Sequence, residues 1–183
     1  MKEAEIVHQF QNGDASAFRN LYDLYFDYAI RAATIVMNNN HFYAKDAVQE
    51  TFIRVYQNIH LYDPSKPFKP WFYKILLNEC NRILKRNSNV ISIGDRIGML
   101  EQEGHLKEEM SRYVEYENLY DAIQKLDYHN RIPIILKYLN GFKEQEIAEI
   151  MDENINTIKS RLLKGKQKLK RFLSSDKEGD KNG

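Results

Sequence analysis

The chain has 183 residues, 43% of them hydrophobic, and its 27 Lys and Arg residues against 26 Asp and Glu residues give a net charge of +1. This length allows one domain or two small ones, and the charge is low for a protein that must hold polyanionic DNA unaided. No apolar run approaches the roughly 18 to 20 residues that span a bilayer, and the N-terminus lacks the apolar core of a secretory signal. We therefore expect a cytoplasmic protein without direct membrane insertion, in which the single Cys80 is a reduced, buried thiol.

Three amphipathic helices are predicted in the N-terminal part. Asp14 is a suitable N-cap, and the apolar residues after it recur at spacings of three and four. The run Asn38–Asn40 breaks this first helix, and Pro70 suits the first turn of the third. The apolar positions of the three helices lie within residues 18–33, 47–59 and 71–83. They predict one compact bundle over residues 1–88.

The connections between helices differ in composition. The segment HLYDPSKPFKP, residues 60–70, contains three prolines that exclude a helix, so its aromatic and lysine side chains lie on an irregular loop. From residue 89 to residue 112 the helical spacing of apolar residues is lost, and Asn, Ser, Gly and charged residues predominate. This composition is typical of a flexible linker. The polar residues 174–183 are expected to form a disordered tail.

Residues 113–173 predict a second helical domain that ends in a helix-turn-helix. Its leading helices carry Leu119, Ile123 and Leu126, then an apolar group stopped by Asn140 and Gly141. Two further apolar stripes are separated by the polar turn 152–154. The fold class is therefore all-α, with two small helical domains joined by a flexible linker.

The last long helix is predicted to bind duplex DNA. Between residues 155 and 172 there are seven cations and no acid, whereas the preceding helix is acidic. Amide, hydroxyl and cationic side chains beside its apolar stripe can bond to base edges or phosphates in a major groove. The alternative is a solvated lysine-rich face. The candidate contacts are Asn156, Thr157, Lys159, Ser160, Arg161 and Lys164.

A second cationic and aromatic group lies on the third helix and the loop before it. Rings can stack on unpaired bases, lysines can neutralise phosphates, and an amide can read a base edge, so this group suits single-stranded nucleic acid. The alternative is that the rings are core residues and the cations are solvated. The spacing of Asn78, Arg82 and Lys85 places these three on one helix face. The candidate residues are Tyr62, Lys66, Phe68, Lys69, Trp71, Tyr73, Lys74, Asn78, Arg82 and Lys85.

These segments in this order resemble the extracytoplasmic-function group of bacterial RNA polymerase sigma factors, in the sigma-70 family. The resemblance rests on DAVQETFIRVYQ at residues 46–57, FKPWFYKILLNECNRILKR at residues 68–86, and the helix-turn-helix region from residue 126 to residue 169. The most specific sequence matches are Trp71 together with Asn78, the Glu-Ile-Ala that opens the helix-turn-helix, and TIKSRL in its second helix. The resemblance covers nearly the whole chain.

The resemblance implies a two-domain factor, not an enzyme, that binds core RNA polymerase, directs it to a promoter and helps to open the duplex. The second helix would dock on the clamp of the largest subunit, and the C-terminal domain would touch the flap of the other large subunit. The loop from about residue 61 to residue 69 would hold a flipped base beside Asn78, while the helix-turn-helix reads the upstream element as duplex. An anti-sigma factor, often membrane-bound, would regulate it under stress. The polymerase-binding positions are Asp46, Gln49, Glu50 and Arg54.

The sequence departs from the family pattern at several positions. Arg82 stands where an acid is frequent, and Asp152 stands where glycine is common in the turn, although aspartate tolerates a left-handed conformation. Gly165 is a weak helix residue, and we expect it to end or bend the recognition helix.

Two other functional classes remain as alternatives. A stand-alone helix-turn-helix regulator would bind a two-fold operator by itself, with the N-terminal bundle as a dimerisation or ligand module. A metal-dependent enzyme is disfavoured, because the five histidines are scattered and no HExxH, paired cysteine or glycine-rich phosphate loop is present. No cofactor, metal or small-molecule substrate is predicted.

Overall fold

The computed structural model describes residues 3–88 and 118–179, and within these ranges the chain forms helices and turns without a strand. The first range forms an N-terminal bundle, and the second forms a C-terminal unit. The bundle contains α1 (Glu3–Gln11), α2 (Ala15–Val36), α3 (His41–Asn58), a 3-10 turn (Ile59–Leu61) and α4 (Phe68–Ser88). The unit contains α5 (118–124), α6 (Tyr128–Ile134), a π-helical turn (Ile135–Leu139), α7 (Glu144–Met151) and α8 (Ile155–Gly179). The predicted all-α class with two helical parts is confirmed.

The predicted helix boundaries of the bundle are also confirmed. Asp14 caps α2 by accepting hydrogen bonds from the Ser16 hydroxyl at 2.6 Å and from the Ser16 backbone N–H at 2.9 Å, and these bonds lower the pKa of Asp14. The asparagine run ends α2 because Asn38 and Asn39 adopt positive φ angles of 53° and 64°. Asn40 then caps α3 by accepting from the Tyr43 N–H at 3.0 Å. Three consecutive asparagines therefore end one helix and begin the next.

The short helix α1 was not predicted from the sequence. Its Ile6, Val7 and Phe10 are buried, and the Phe10 ring lies 5.3 Å from the Phe18 ring of α2. Gln11 at its end donates hydrogen bonds to backbone oxygens of the 3-10 turn and the following residue. The helix therefore covers one end of the bundle beside the proline-rich loop.

The bundle core lies where α2, α3 and α4 meet. Each fully buried large side chain contributes about 1.5 to 3 kcal/mol relative to an exposed position. Cys80 of α4 is buried in this core and forms no disulfide, as predicted. The large side chains with almost no exposure in this bundle include Leu21, Val36, Val48, Val55, Phe72, Tyr73 and Leu76.

Gly165 does not end or bend α8, which contradicts the prediction made for it. The helix runs on to Gly179, and Gly165 is buried where α8 crosses α6. A Cβ atom at this position would lie 2.9 Å from Cγ1 of Ile134 and 3.3 Å from the backbone oxygen of Asn130. The glycine therefore permits a close approach of two helices rather than a break in one.

Part of the segment predicted to be a disordered tail is helical. α8 includes residues 174–179, so only 180–183 of the predicted tail lie outside the described residues. The physical reason is that extending a formed helix adds one hydrogen bond per residue ordered, so polar residues can continue it without packing. The predicted flexible linker, 89–112, also lies outside the described residues. None of the described helices is both long and apolar enough to cross a membrane.

Candidate nucleic-acid interface

The helix-turn-helix is formed by α7, a tight turn and α8. Glu146 accepts a hydrogen bond from the backbone N–H of Lys143 at 2.7 Å and so fixes the start of α7. Asp152 ends α7 in the left-handed conformation, with φ 55° and ψ 47°, as the sequence predicted. Asn154 accepts from the Asn156 N–H at 2.8 Å and fixes the start of α8.

The predicted duplex contacts lie mainly on the exposed face of α8. Asn156, Lys159, Ser160 and Lys164 are exposed, while Ile158 and Leu162 on the opposite face are buried. This arrangement gives the first half of α8 a cationic and amide-bearing face directed away from the core. Thr157 and Arg161 are partly buried.

Arg161 has a partner within the helix-turn-helix itself. Its Nη1 atom lies 2.8 Å from Oε1 of Glu153 in the turn, and both side chains are less than one-third exposed. The ion pair joins the turn to α8 across eight residues. Arg161 therefore stabilises the motif in this structure and does not present a free guanidinium for DNA.

The predicted loop aromatics Tyr62 and Phe68 are core residues, so in this arrangement they offer little surface on which a base could stack. They are 7% and 3% exposed, and their rings lie 5.3 Å apart. The Tyr62 hydroxyl donates a hydrogen bond to the backbone oxygen of Lys66. This bond joins two parts of the loop across the Tyr62 ring. The prolines leave the loop with few backbone donors, so this aromatic cluster holds it instead. Lys66 remains exposed.

Trp71 lies at the edge of the same cluster and keeps part of its surface exposed. Its ring centroid is 5.4 Å from that of Tyr62 and 5.5 Å from that of Phe68. Of the four rings assigned to the melted strand, Trp71 is the one that retains accessible surface in the structure; the fourth, Tyr73, is 0% exposed.

Tyr73 is covered by the C-terminal unit. Its ring packs edge to face on Phe142 at 4.9 Å, and its hydroxyl accepts a hydrogen bond from Nδ2 of Asn140 at 2.8 Å. Burial raises the pKa of the Tyr73 hydroxyl well above its ordinary value. In this arrangement Tyr73 has no surface with which to contact a base.

Two of the predicted lysines also meet the C-terminal unit. Lys69 donates a hydrogen bond to the backbone oxygen of Asn140 at 2.6 Å, and its ammonium lies 4.8 Å from the centroid of the Phe142 ring. Lys74 lies 4.0 Å from Asp152 at the helix-turn-helix turn. The first turns of α4 therefore contact the other half of the molecule.

Farther along α4, the predicted cationic face is present. Asn78, Arg82 and Lys85 are exposed, as their spacing of four and three indicated. Arg82 pairs with Glu79, and the Arg82 Nε atom lies 2.6 Å from the Glu79 carboxylate. Glu79 is buried, with 4% of its surface exposed. This hydrogen bond raises the pKa of Arg82. Within the described residues, the Asn78 side chain makes no hydrogen bond, and it remains accessible.

The predicted polymerase-binding positions form one stripe on α3. Gln49 is exposed, and Asp46, Glu50 and Arg54 are partly exposed. Arg54 contacts Glu50 one turn earlier and also forms an ion pair with the buried Glu79 of α4. An ion pair therefore links this stripe to the neighbouring helix.

Sequence reasoning missed Glu79, Asn140 and Phe142. Glu79 is the one acid in the basic stretch of residues 66–86, and this isolation could have marked it as a buried partner for arginine. The local sequence gave no signal of the contacts that Asn140 and Phe142 make with α4, because their partners lie about 70 positions away. Among the described residues, no group of three or more His, Cys, Asp or Glu side chains could hold a metal ion.

Comparison with known families matches both halves of the chain. The model of "Sigma-70 region 2" matches residues 21–90, and that of "Sigma-70, region 4" matches residues 116–169. The chain is 30% identical to the ECF RNA polymerase sigma factor SigW of Bacillus subtilis over 177 residues, which are 91% of this chain and 94% of the relative. It is 26% identical to an ECF RNA polymerase sigma-E factor of Haemophilus influenzae, over 91% of this chain and 93% of the relative.

Two solved structures share the fold over most of the chain. CnrH, solved in complex with the cytosolic domain of CnrY, matches with a TM-score of 0.71 at 20% identity, over 95% of this chain and 98% of that one. The sigma factor RpoE of Bartonella quintana, solved with the anti-sigma factor NepR, matches with a TM-score of 0.68 at 25% identity, over 87% of this chain and 98% of that one.

Proposed function

The chain belongs to the extracytoplasmic-function group of sigma-70 factors, and we propose that it binds core RNA polymerase and directs it to specific promoters as an alternative sigma factor. The observation that carries this function is the presence of both sigma regions in one chain, the second built as a helix-turn-helix with an exposed cationic face. Such a factor acts by binding and makes no covalent bond itself. Because polymerase works in the cytoplasm, we expect the chain to work there.

We assign the first contact with polymerase to the stripe on α3. Asp46, Gln49 and Glu50 offer carboxylate and amide groups that suit a basic surface on the polymerase clamp. Arg54 lies at the end of the same stripe, where Glu79 holds its guanidinium. This assignment is supported by the exposure of Gln49 on a helix whose opposite face is packed in the bundle core.

We assign the upstream promoter element to α8. Asn156, Lys159, Ser160 and Lys164 form the exposed part of its first half, where the helix would enter a major groove. Thr157 lies beside them and is partly buried. Arg161 is better assigned to stabilising the turn through Glu153, because its guanidinium is already paired.

We assign the melted downstream element to α4. Asn78 is the candidate for reading a base, and Arg82, Lys85 and Lys66 are candidates for contacting phosphate. Stacking falls to Trp71, the partly exposed ring of the loop cluster. Tyr62 and Phe68 support the loop from beneath, because both rings are buried.

An anti-sigma factor is the expected regulatory partner. The relatives RpoE and CnrH were solved with protein partners, and that of RpoE is an anti-sigma factor. We propose that this chain is held by such a factor until a stress signal releases it, with the anti-sigma factor anchored at the membrane in some settings. Recruitment by polymerase also accounts for the net charge of +1, because affinity for DNA is then shared with a much larger partner.

Reconstituted transcription tests the function. The purified chain alone should bind promoter duplex weakly, whereas its mixture with core polymerase should initiate RNA synthesis at a specific site. A stand-alone regulator would instead protect an operator strongly without polymerase and would not change where polymerase starts. Site-specific initiation that requires the chain supports the sigma assignment, and its absence with a panel of genomic promoters contradicts it.

A further inference from the structure

We propose that the buried carboxylate of Glu79 is a positioning group that holds two cations for two different partners, Arg54 for core polymerase and Arg82 for the melted DNA strand. The inference rests on the function proposed above for α3 and α4. Glu79 acts through the two arginines, because only 4% of its surface is exposed and it can reach neither partner itself.

Glu79 divides its two carboxylate oxygens between two helices. Its Oε1 atom forms an ion pair with Nε of Arg54 on α3. Its Oε2 atom accepts a hydrogen bond from Nε of Arg82, one turn later on α4, at 2.6 Å. One side chain therefore joins the stripe assigned to polymerase with the face assigned to the melted strand.

The three charged groups together keep a positive charge that an external anion can use. Burying a carboxylate costs its hydration, and the two guanidiniums offset this cost as ion-pair partners. Two cations and one anion leave one positive charge. The side chains of Arg54 and Arg82 are 42% and 45% exposed, so this charge lies at the surface.

The geometry of the pair leaves the outer nitrogens of Arg82 available. Glu79 contacts the Nε atom, which is the nitrogen nearest the aliphatic stem. The two terminal nitrogens of Arg82 form no hydrogen bond with another described residue. A guanidinium fixed in this way can offer its terminal N–H groups to a phosphate, whereas a freely rotating side chain must first be ordered.

Arg54 is held in a similar manner on α3. Its Nε atom pairs with Glu79, and its Nη2 atom lies 3.5 Å from Glu50, one turn earlier in the polymerase-binding stripe. The two acids restrain the guanidinium at the edge of that stripe. Its exposed part can there accept a carboxylate or a backbone oxygen of polymerase.

The sequence around Glu79 agrees with this role. Glu79 is the one acid between residues 66 and 86, and Arg82 stands where an acid is frequent in the family. The acid of this chain lies one turn earlier, on the buried side of α4, and a cation takes the exposed position on the face of Asn78 and Lys85. The arrangement adds a cation to the strand-binding face and supplies the carboxylate that orients it.

Removing the Glu79 charge should impair two steps and spare a third. Glu79→Gln keeps the size of the side chain, but its amide has one acceptor oxygen and no charge with which to hold two guanidiniums. We expect affinity for core polymerase and strand opening to fall about tenfold each, the effect of losing one charge-assisted hydrogen bond. Binding of the holoenzyme to the upstream duplex should stay unchanged, because that contact is assigned to α8.

Three measurements on the full chain separate these steps. Fluorescence anisotropy of the labelled chain gives its affinity for core polymerase. Mobility shift and permanganate reactivity give duplex binding and strand opening, both with core polymerase in saturating amount. Asp23→Asn is the matched control, because it removes an exposed acid of α2 and should change none of the three steps. Equal losses at all three steps, or wild-type behaviour of Glu79→Gln at core binding or at opening, would overturn the positioning role.

A double-mutant cycle distinguishes positioning from a general loss of structure. In the Arg82→Ala background, Glu79→Gln should reduce strand opening by less than about twofold, because the cation that Glu79 orients is already absent. In the Arg54→Ala background, Glu79→Gln should likewise have little effect on core affinity. A loss as large as in the wild-type background, in either cycle, contradicts the proposal. Circular dichroism and thermal melting establish that the variants fold.

Arg82→Lys tests the orientation in a chain where Glu79 keeps its ion pair with Arg54. Lysine carries the same charge on a single nitrogen, so it cannot bind Glu79 through one nitrogen and a phosphate through others. We expect strand opening to fall nearly to the level of Arg82→Ala, whereas Arg86→Lys, at an exposed position of the same helix, should match the wild type. Even where Glu79→Gln does not fold, wild-type opening by Arg82→Lys would overturn the proposal.

Initiation by the wild-type chain distinguishes this inference from the sigma function. If the wild type with core polymerase did not initiate at a specific site, the sigma function and the inference would fail together. If the wild type initiates and both Glu79→Gln and Arg82→Lys open the promoter equally well, the inference alone fails.

Discussion

Cys80 lies in the core of the N-terminal bundle, on the side of α4 that faces α2 and α3, and it forms no disulfide. Burial raises the pKa of its thiol to about 12, because the thiolate would lose its hydration there. The thiolate is the reactive form, so the native protein should not react with a thiol-specific reagent at neutral pH. Mass spectrometry should show modification only in denaturant, and labelling of the native chain at the rate of a free thiol would contradict the structure.

Asp127 is a residue whose charge makes folding depend on pH. It caps α6 through the Asn130 N–H and receives a hydrogen bond from Lys168 of α8 at 2.7 Å. The bond from Lys168 and those from Asn130 lower the pKa of Asp127 from 3.8 to about 2. A carboxylate with a lowered pKa in the folded state stabilises the fold above its unfolded pKa, and this contribution is lost as the pH falls toward the folded value.

Asp127→Asn should therefore destabilise the C-terminal unit at neutral pH and have less effect near pH 2. Asparagine is also a good N-cap, so the change isolates the charge, and we expect a loss of about 1 kcal/mol or less because the pair is half-exposed. Urea unfolding at both pH values measures it. Asp27→Asn is the control, because the Asp27 side chain is exposed and makes no hydrogen bond or ion pair among the described residues. An effect of Asp127→Asn that does not change with pH would exclude the ion pair as its cause.

At single positions, the sequence predicted well what depends on helical spacing. The exposed face of Asn78, Arg82 and Lys85 follows from spacings of four and three. The burial of Tyr73 does not, because it comes from Asn140 and Phe142 in the other half of the molecule. Local pattern can identify a helix face, whereas what covers that face depends on tertiary contacts.

Helix α8 shows why a weak helix former can occupy the middle of a long helix. Gly165 costs about 1 kcal/mol relative to alanine in an unconstrained helix. At this position, however, an alanine Cβ would lie 2.9 Å from Cγ1 of Ile134 and 3.3 Å from the Asn130 backbone oxygen. The close crossing of α6 and α8 therefore outweighs helix propensity.

Gly165→Ala should destabilise the C-terminal unit by about 1 to 3 kcal/mol, the usual cost of overpacking a core. Thermal and urea unfolding measure the change. The control is Gln167→Ala, an exposed position of the same helix where alanine should be neutral or slightly stabilising. Stabilisation by Gly165→Ala would mean that α6 and α8 do not approach this closely.

The elements themselves were predicted where their ends carry strong signals. Asp14, the asparagine run and Asp152 each end or begin a helix as their chemistry requires. The nine-residue α1 was missed, although its Ile6, Val7 and Phe10 have helical spacing, because a short segment near a terminus gives few repeats. The continuation of α8 to Gly179 also could not be read from composition, because polar residues extend a helix only when one already precedes them.

In the whole molecule, the two helices to which we assign DNA contacts would have separate tasks that depend on a shared partner. α8 would hold the duplex of the upstream element, and α4 would hold the strand released downstream. The chain as a whole carries a net charge of only +1, so its overall electrostatic attraction to DNA is weak although both helices carry local positive charge. Because polymerase would bring both helices to the promoter, a substitution in one helix should affect only the stage of initiation that depends on that helix.

Lys159→Glu should impair binding of the polymerase holoenzyme to the upstream duplex, because it places an anion against phosphate or base edges. Asn78→Ala should leave that binding nearly unchanged and reduce strand opening, because it removes an amide that contacts only the melted strand. We expect the affected stage, duplex binding or strand opening, to fall about tenfold, because this is the usual contribution of one good polar contact to a base. Duplex binding by mobility shift and opening by permanganate reactivity of unpaired thymines separate the two stages. Arg19→Glu, at an exposed cation of α2, controls for charge reversal and should change neither stage. If Lys159→Glu and Asn78→Ala reduced both stages equally, the two helices would not divide promoter recognition between them.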